Sequence, residues 1–139
     1  MDLDFFFKPR SVAVFGASRN PEKPGRVLLR NLIRGGYKGE IYPLNPKAKE
    51  IEGLKVYTPE ELPDIDLAIF AIRAEKVPSA MENVAEKIRG AMIIAGGFGE
   101  VGRRDLDQKL LMIKEEYGIR IWGPNCLGVL NPHENFNAT

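Results

Sequence analysis

The stretch Ser11–Asn20, SVAVFGASRN, decides the fold of this chain. Its four apolar residues, Val12 to Phe15, run directly into Gly16, and small or polar residues follow before a helical pattern begins. This order predicts a strand, a tight turn and a helix start, the place where an α/β sheet binds phosphates through backbone N–H groups. Glycine suits a turn that passes close to a ligand, and Ala17 and Ser18 leave the approach open. The stretch predicts either a nucleotide-type ligand at this turn or a strand–turn–helix unit that binds nothing.

Length and composition indicate one globular domain over residues 1–139. Hydrophobic residues make up 44% of the chain and charged residues 28%, and the net charge of +1 offers no electrostatic case for nucleic acid or an anionic membrane. No apolar run reaches the roughly 18 residues that a membrane helix needs. The N-terminal MDLDFFFKPR lacks the basic start and long apolar region of a secretory signal. We therefore expect a cytoplasmic protein.

The scarcity of catalytic side chains argues against chemistry within this chain. A single cysteine, Cys126, and a single histidine, His133, exclude a disulfide framework, a multi-cysteine metal site and most Ser-His arrangements. Ser18 has no base beside it in the sequence. Cys126 is interpreted either as a thiol near a ligand or as a buried structural residue. We predict no catalytic residue and no metal ligand.

The order of apolar segments predicts the arrangement β-α-β-β-β-α-β-α-β. Strands are predicted at residues 11–17, 40–45, 54–58, 67–72, 91–95 and 120–122. A first helix is predicted at residues 25–34, and two later helices by apolar residues at helical spacing: Val77, Met81, Val84 and Ile88, then Leu106, Leu110, Ile113 and Tyr117. LAIFAI at 67–72 is apolar throughout, as in a strand covered on both faces. Helical crossovers between such strands predict a doubly wound, mainly parallel sheet with helices on both faces.

Turns rich in glycine or proline follow most of these strands. Because the carboxyl ends of parallel strands share one edge, we expect the turns to meet on one rim and form a ligand site there. They are Gly16-Ala17-Ser18, Asn45-Pro46-Lys47, Arg73-Ala74, Gly96-Gly97 and Gly123-Pro124-Asn125-Cys126.

The first two turns indicate the kind of ligand. Gly16 and Gly25 stand nine residues apart in GASRNPEKPG, so the G-x-G-x-x-G fingerprint of dinucleotide sites is absent. The second strand ends in Lys47 where NAD sites usually place an acid, and a lysine there favours an additional phosphate. Three more basic residues lie near the first turn: Arg19, Lys23 and Arg26. A nucleotide with a ribose phosphate, such as NADP or coenzyme A (CoA), therefore fits better than NAD, unless Lys47 is a solvated surface lysine beside Lys49.

Six segments together resemble a known family. They are FFFKPRSVAVFGASRNP, GYKGEIYPLNPK, DLAIFAI, IIAGGFGE, GPNCLGVLNP and the closing FNAT. In this order they resemble the CoA-binding domain that opens the α subunit of ADP-forming acyl-CoA synthetases, a family that includes acetate–CoA ligase and succinate–CoA ligase relatives. The resemblance covers essentially the whole chain.

The resemblance implies a Rossmann-like domain that binds CoA along the rim. It implies that the backbone of Gly16, Ala17, Ser18, Arg19 and Asn20 wraps the CoA phosphates, and that Lys47 with Pro46 holds the ADP end. It places Ile72, Arg73 and Ala74 beside the adenine and ribose, Ala95, Gly96 and Gly97 beside the pantetheine, and Asn125 and Cys126 near the thiol. At 72–74 this chain has Ile-Arg-Ala where relatives often have Val-Pro-Ala.

The resemblance also implies that the chain does not complete a reaction by itself. In that family, acyl transfer uses an acyl phosphate, a phosphohistidine in the next domain and an ATP-grasp domain or subunit, and His133 does not occupy the phosphohistidine context. We therefore expect a CoA-binding part of a ligase with further domains or an ATP-grasp subunit as partners. Two alternatives stay open from the sequence: an NAD(P)-binding oxidoreductase or redox-sensing module, and a regulatory domain that has lost its ligand.

Overall fold

A five-stranded parallel sheet forms the centre of the computed structural model, which describes residues 2–139. The strands of the chain are β1 (Ser11–Phe15), β2 (Glu40–Leu44), β3 (Glu50–Ile51), β4 (Leu54–Lys55), β5 (Ile65–Phe70), β6 (Ile88–Ile93), β7 (Arg120–Trp122), β8 (Val129–Asn131) and β9 (Phe136–Ala138). The helices are α1 (Pro24–Arg34), α2 (Val77–Val84) and α3 (Arg104–Tyr117). The sheet order is β2-β1-β5-β6-β7, and every pairing in it is parallel. The predicted doubly wound sheet is thus confirmed.

The strand β5 shows why helices cover both faces of the sheet. All six of its residues are buried. Successive side chains of a strand point to opposite faces, so Leu67 and Ile69 pack in the core beneath α1, while Ala68 and Phe70 pack in the core beneath α2 and α3. Within residues 2–139, no helix is long and apolar enough to cross a membrane.

The second helix was predicted to include Ile88, but Ile88 lies outside it. The helix α2 ends at Val84, and Ile88 begins β6, where it pairs with Ile65. The spacing from Val77 to Val84 is helical, and Ile88 continues it only by coincidence. Its strand conformation follows from pairing with a distant segment, which the local pattern does not contain.

Two small hairpins also differ from the sequence-based expectation. The predicted strand at 54–58 is shorter, and its β4 part pairs antiparallel with β3 outside the central sheet. Tyr57 joins the edge of that sheet through a bridge to Leu44, and its ring lies 4.9 Å from the ring of Tyr42 in β2. The tail after β7, for which no element was predicted, forms the antiparallel pair β8–β9, and its buried Phe136 packs 5.3 Å from the Tyr37 ring.

Candidate ligand-binding rim

The turn after β1 lies directly against the end of β5. Gly16 has a φ of 90°, and a Cβ atom built there would stand 2.2 Å from the Ala71 carbonyl oxygen and 3.0 Å from Ile72 Cγ2. No side chain fits in this space, so glycine is required both by the close approach and by the backbone conformation. The contact brings the first turn and the predicted segment from Ile72 to Ala74 together.

The turn after β2 is tied to the first turn by Asn45. Its Nδ2 donates to the Ala17 carbonyl at 2.7 Å, and its Oδ1 accepts from the backbone N–H groups of Lys47 and Ala48 at 2.7 and 3.2 Å. The sequence places Asn45 in this turn but does not predict these bonds. They hold two separate turns at a constant distance and leave the Lys47 side chain exposed at the rim.

The turns after β6 and β7 are also neighbours. The Asn125 N–H donates to the Ala95 carbonyl at 3.0 Å, and a Cβ built on Gly96 would lie 3.1 Å from Asn125 Oδ1. A Cβ on Gly97 would lie 3.3 Å from the Ala74 Cβ. These contacts complete a continuous line of turns from β2 to β7, so the five turns meet on one rim as expected. Their roles in ligand binding stay predictions.

Cys126 lies at the β7 end of this line. Its thiol is partly buried and donates to the Ile93 carbonyl at 3.3 Å. Burial raises the pKa of this thiol above its usual value. The side chain therefore sits beside the rim in its neutral form rather than as a reactive thiolate.

The first turn presents unpaired backbone donors. Among residues 2–139, the N–H groups of Ser18 and Arg19 find no acceptor, whereas the Asn20 N–H donates to Ser18 Oγ at 3.0 Å and Ala17 is fully buried. The helix α1 begins only a few residues later, with Pro24 in its first turn and no side chain capping its N-terminus. Consecutive free N–H groups near a helix N-terminus attract an anion such as a phosphate.

The turn after β6 has the opposite character. The N–H groups of Gly97 and Phe98 both donate to the Glu100 carboxylate, and these bonds lower the pKa of Glu100. An ionised carboxylate in this position repels a second anion. Glu100 was not predicted from the sequence, although an acid shortly after paired glycines in GGFGE was the available signal. The rim is thus receptive to anions at its β1 end and not at its β6 end.

These features define a domain of the Rossmann-like class, in which ligands occupy the carboxyl edge of a parallel sheet. Residues 10–132 match the CoA binding domain family, and the chain belongs to this family. The family resemblance seen in the sequence is thereby confirmed, and the comparisons do not support the NAD(P) alternative.

Two relatives of this chain are ADP-forming acetate–CoA ligases. It is 43% identical to the acetate–CoA ligase (ADP-forming) of Methanocaldococcus jannaschii over 99% of its own length and 20% of that protein. It is 41% identical to the α subunit of acetate–CoA ligase (ADP-forming) II of Pyrococcus furiosus, over 99% of this chain and 31% of that one. The chain therefore spans between a fifth and a third of these relatives.

Two solved structures share the fold in detail. The dinucleotide-forming acetyl-coenzyme A synthetase 1 of Ca. Korarchaeum cryptofilum, in complex with phosphate and ADP, superposes with a TM-score of 0.94 at 38% identity, over 99% of this chain and 30% of that one. The protein PH0766 of Pyrococcus horikoshii superposes with a TM-score of 0.93 at 41% identity, over 99% of this chain and 33% of that one.

Proposed function

We propose that this chain binds CoA along its rim and serves as the CoA-binding part of an ADP-forming acyl-CoA ligase. The observation that carries this proposal is the pair of successive free N–H groups of Ser18 and Arg19, at the rim of a member of the CoA binding domain family. These donors suit the diphosphate of CoA.

The charge of the rim supports one orientation of the ligand. The diphosphate lies on the anion-receptive turn at the end of β1, and Glu100 disfavours a phosphate at the end of β6. The uncharged pantetheine therefore extends past Gly96 and Gly97. This direction carries the CoA thiol toward Asn125 and Cys126, at the far end of the line of turns.

The two ends of CoA are held by different chemistry in this proposal. Lys47, with Pro46, lies beside the first turn and holds the ribose 3′-phosphate through its ammonium group. Ile72, Arg73 and Ala74 line the adenine and ribose. The carbonyl and amide groups of the pantetheine meet the exposed backbone around Gly96 and the Asn125 amide.

No side chain of this chain is assigned a chemical step. The chain binds CoA and orients its thiol, while activation and transfer of the acyl group belong to further ligase domains or an ATP-grasp subunit. The position of His133 agrees with this division. It lies with Lys8, Arg10 and Lys38 around a cavity next to the starts of β1 and β2, the edge of the sheet opposite the rim.

Thermal unfolding with four ligands tests the proposal. CoA, dephospho-CoA, NADP and NAD are added separately to the purified chain, and a ligand at about 100 times its Kd should stabilise it by about 2.7 kcal/mol. We expect the largest shift with CoA and a smaller one with dephospho-CoA, which lacks the 3′-phosphate. Stabilisation by NAD without stabilisation by CoA would refute the proposal.

The role of Lys47 has its own test. Lys47→Ala should narrow the difference in affinity between CoA and dephospho-CoA, because only CoA carries the phosphate that this lysine holds. Lys49→Ala is the matched control, since Lys49 is also exposed and stands two residues away. If the difference in affinity between CoA and dephospho-CoA is the same in Lys47→Ala as in the wild type, Lys47 is a solvated surface residue.

A further inference from the structure

The side chain of Arg26 reaches back from α1 to the turn after β1. Its Nη1 lies 2.7 Å from the Arg19 carbonyl oxygen and 3.4 Å from the Ser18 carbonyl oxygen. The side chain is 19% exposed, and its Nε is buried without a hydrogen-bond partner in the part of the chain that the structure describes. A single guanidinium nitrogen thus bonds two successive carbonyl groups of the proposed phosphate-binding turn.

These bonds fix two peptide units of the turn, one of which carries the free N–H of Arg19. In a planar trans peptide the C=O and the following N–H point in opposite directions. Because Arg26 draws the Ser18 carbonyl toward α1, the Arg19 N–H must point away from the helix. In the next peptide, the Arg19 carbonyl is held in the same way, and its N–H partner, that of Asn20, donates to Ser18 Oγ. Without the guanidinium, these peptide units could rotate and turn carbonyl oxygens toward an incoming phosphate.

Arg26 is held in turn by the hairpin of β3 and β4. Glu52, in the tight turn of that hairpin, pairs with Arg26 Nη2, and its Oε1 lies 3.9 Å from Arg30 Nε. Arg19 adds a second link, since its Nε donates to the Glu50 carbonyl at 3.0 Å. The hairpin therefore braces the first turn from outside, although it lies apart from the central sheet.

We propose that Arg26 is a positioning residue that holds the first turn in the conformation that receives a diphosphate, and that Glu52 holds Arg26 in this position. This inference rests on the proposed function. Arg26 acts through the backbone rather than by touching the ligand, because its Nη1 is occupied by carbonyl groups and its charge is compensated by Glu52.

Calorimetric titration of four proteins with CoA and with dephospho-CoA tests the assignment. The proteins are the wild type, Arg26→Gln, Arg26→Lys and the control Arg30→Gln. Arg30 lies one helical turn from Arg26 and also faces Glu52, but makes no bond to the turn among the described residues. We expect Arg26→Gln to weaken both ligands by the same factor, about tenfold, since both carry the diphosphate, and Arg30→Gln to change affinity by less than about twofold. Arg26→Lys, which restores one donor, should recover part of the loss.

The possible results separate the two proposals. A wild type that binds neither ligand refutes the proposed function itself. A wild type that binds CoA while Arg26→Gln binds equally well, even with a lowered melting temperature, overturns the positioning role and leaves a structural one. A loss confined to CoA overturns it as well, because Arg26 would then contact the 3′-phosphate directly.

A second variant keeps the test decisive if Arg26→Gln does not fold. Glu52→Gln leaves α1 unchanged and removes only the charge that holds the guanidinium. It should weaken CoA and dephospho-CoA by a common factor of about three. Wild-type affinity in Glu52→Gln would overturn the hairpin's part in the assignment. In the wild type, hydrogen exchange of residues 49–56 should slow when CoA binds, because coupling between two sites is reciprocal.

Discussion

Replacing Gly25 by alanine tests the packing on which the rim depends. A Cβ at this position would stand 2.0 Å from the Gly16 carbonyl oxygen, 2.5 Å from the Gly16 carbonyl carbon and 3.1 Å from the Ala17 nitrogen. Ordinary contact begins at about 3.4 Å. All three atoms belong to the backbone, so no side-chain rotation relieves the collision, and the start of α1 must separate from the first turn.

The expected magnitude follows from two opposing effects. Alanine is favoured over glycine inside a helix by about 1 kcal/mol. Overpacking costs about 1–3 kcal/mol, and a collision with rigid backbone belongs at the upper end of that range. We therefore expect Gly25→Ala to lower the free energy of unfolding by about 2 kcal/mol, although the same change at an open helical position would stabilise the protein. For a chain of this length, this is a fall in melting temperature of about 6–8 °C.

Urea unfolding of the ligand-free chain measures this change. Val27→Ala is the control, because Val27 lies on the same helix and is 45% exposed, and its substitution should change stability by no more than about 0.5 kcal/mol. CoA affinity should also fall in Gly25→Ala, since the displaced atoms belong to the turn proposed to bind the diphosphate. If Gly25→Ala is as stable as the wild type, α1 does not approach the turn closely and this account of the rim is wrong.

Three further predictions concern groups away from this contact. Asp66 is 8% exposed, and its carboxylate accepts from the Arg10 N–H at 2.8 Å. Asp66→Ala should therefore lower the free energy of unfolding by about 2 kcal/mol, whereas Asp64→Ala, at an exposed position, should not change it measurably. Equal denaturant midpoints for the two variants would contradict this prediction. Because burial raises the pKa of the Cys126 thiol, iodoacetamide should modify it more slowly at pH 8 than it modifies free cysteine, and an equal or faster rate would argue against the buried geometry. Burial also raises the pKa of Tyr37, whose hydroxyl donates to the Pro9 carbonyl at 2.6 Å. Its contribution to stability is therefore complete below pH 10 and declines as the pH rises above 10. In Tyr37→Phe, the free energy of unfolding should fall less steeply with pH in this range, and a fall as steep as in the wild type would disprove the contribution.

Much of the fold could be predicted because its central strands carry their own signal. The apolar run of β5 and the abrupt glycine after β1 indicate a buried parallel sheet without any knowledge of partners. Ile88 shows the limit of such reasoning, since its spacing suits a helix and its conformation is set by pairing with Ile65. The hairpin of β8 and β9 was missed for a related reason, because three-residue strands are too short to show alternation.

The candidate site was predictable at the level of turns but not of individual bonds. The rule that parallel strands end at one edge was enough to bring together the turns after β1, β2, β5, β6 and β7. It could not show that Asn45 ties two turns together, that Glu100 occupies the donors of one turn, or that Arg26 bonds two carbonyl groups of another. Each of these bonds joins residues whose relative orientation depends on how the turns fold and pack.

The sequence by itself determined the sheet, its parallel direction, the edge at which the turns meet and the family to which the chain belongs. Hydrophobic periodicity and short motifs are local, so they can be recognised without knowledge of distant contacts. Only the tertiary structure decided which backbone N–H groups remain free and where charge is compensated. A hydrogen bond requires its donor and acceptor within about 3 Å, and that proximity exists for the bonds of Asn45 and Arg26 only after the chain has folded.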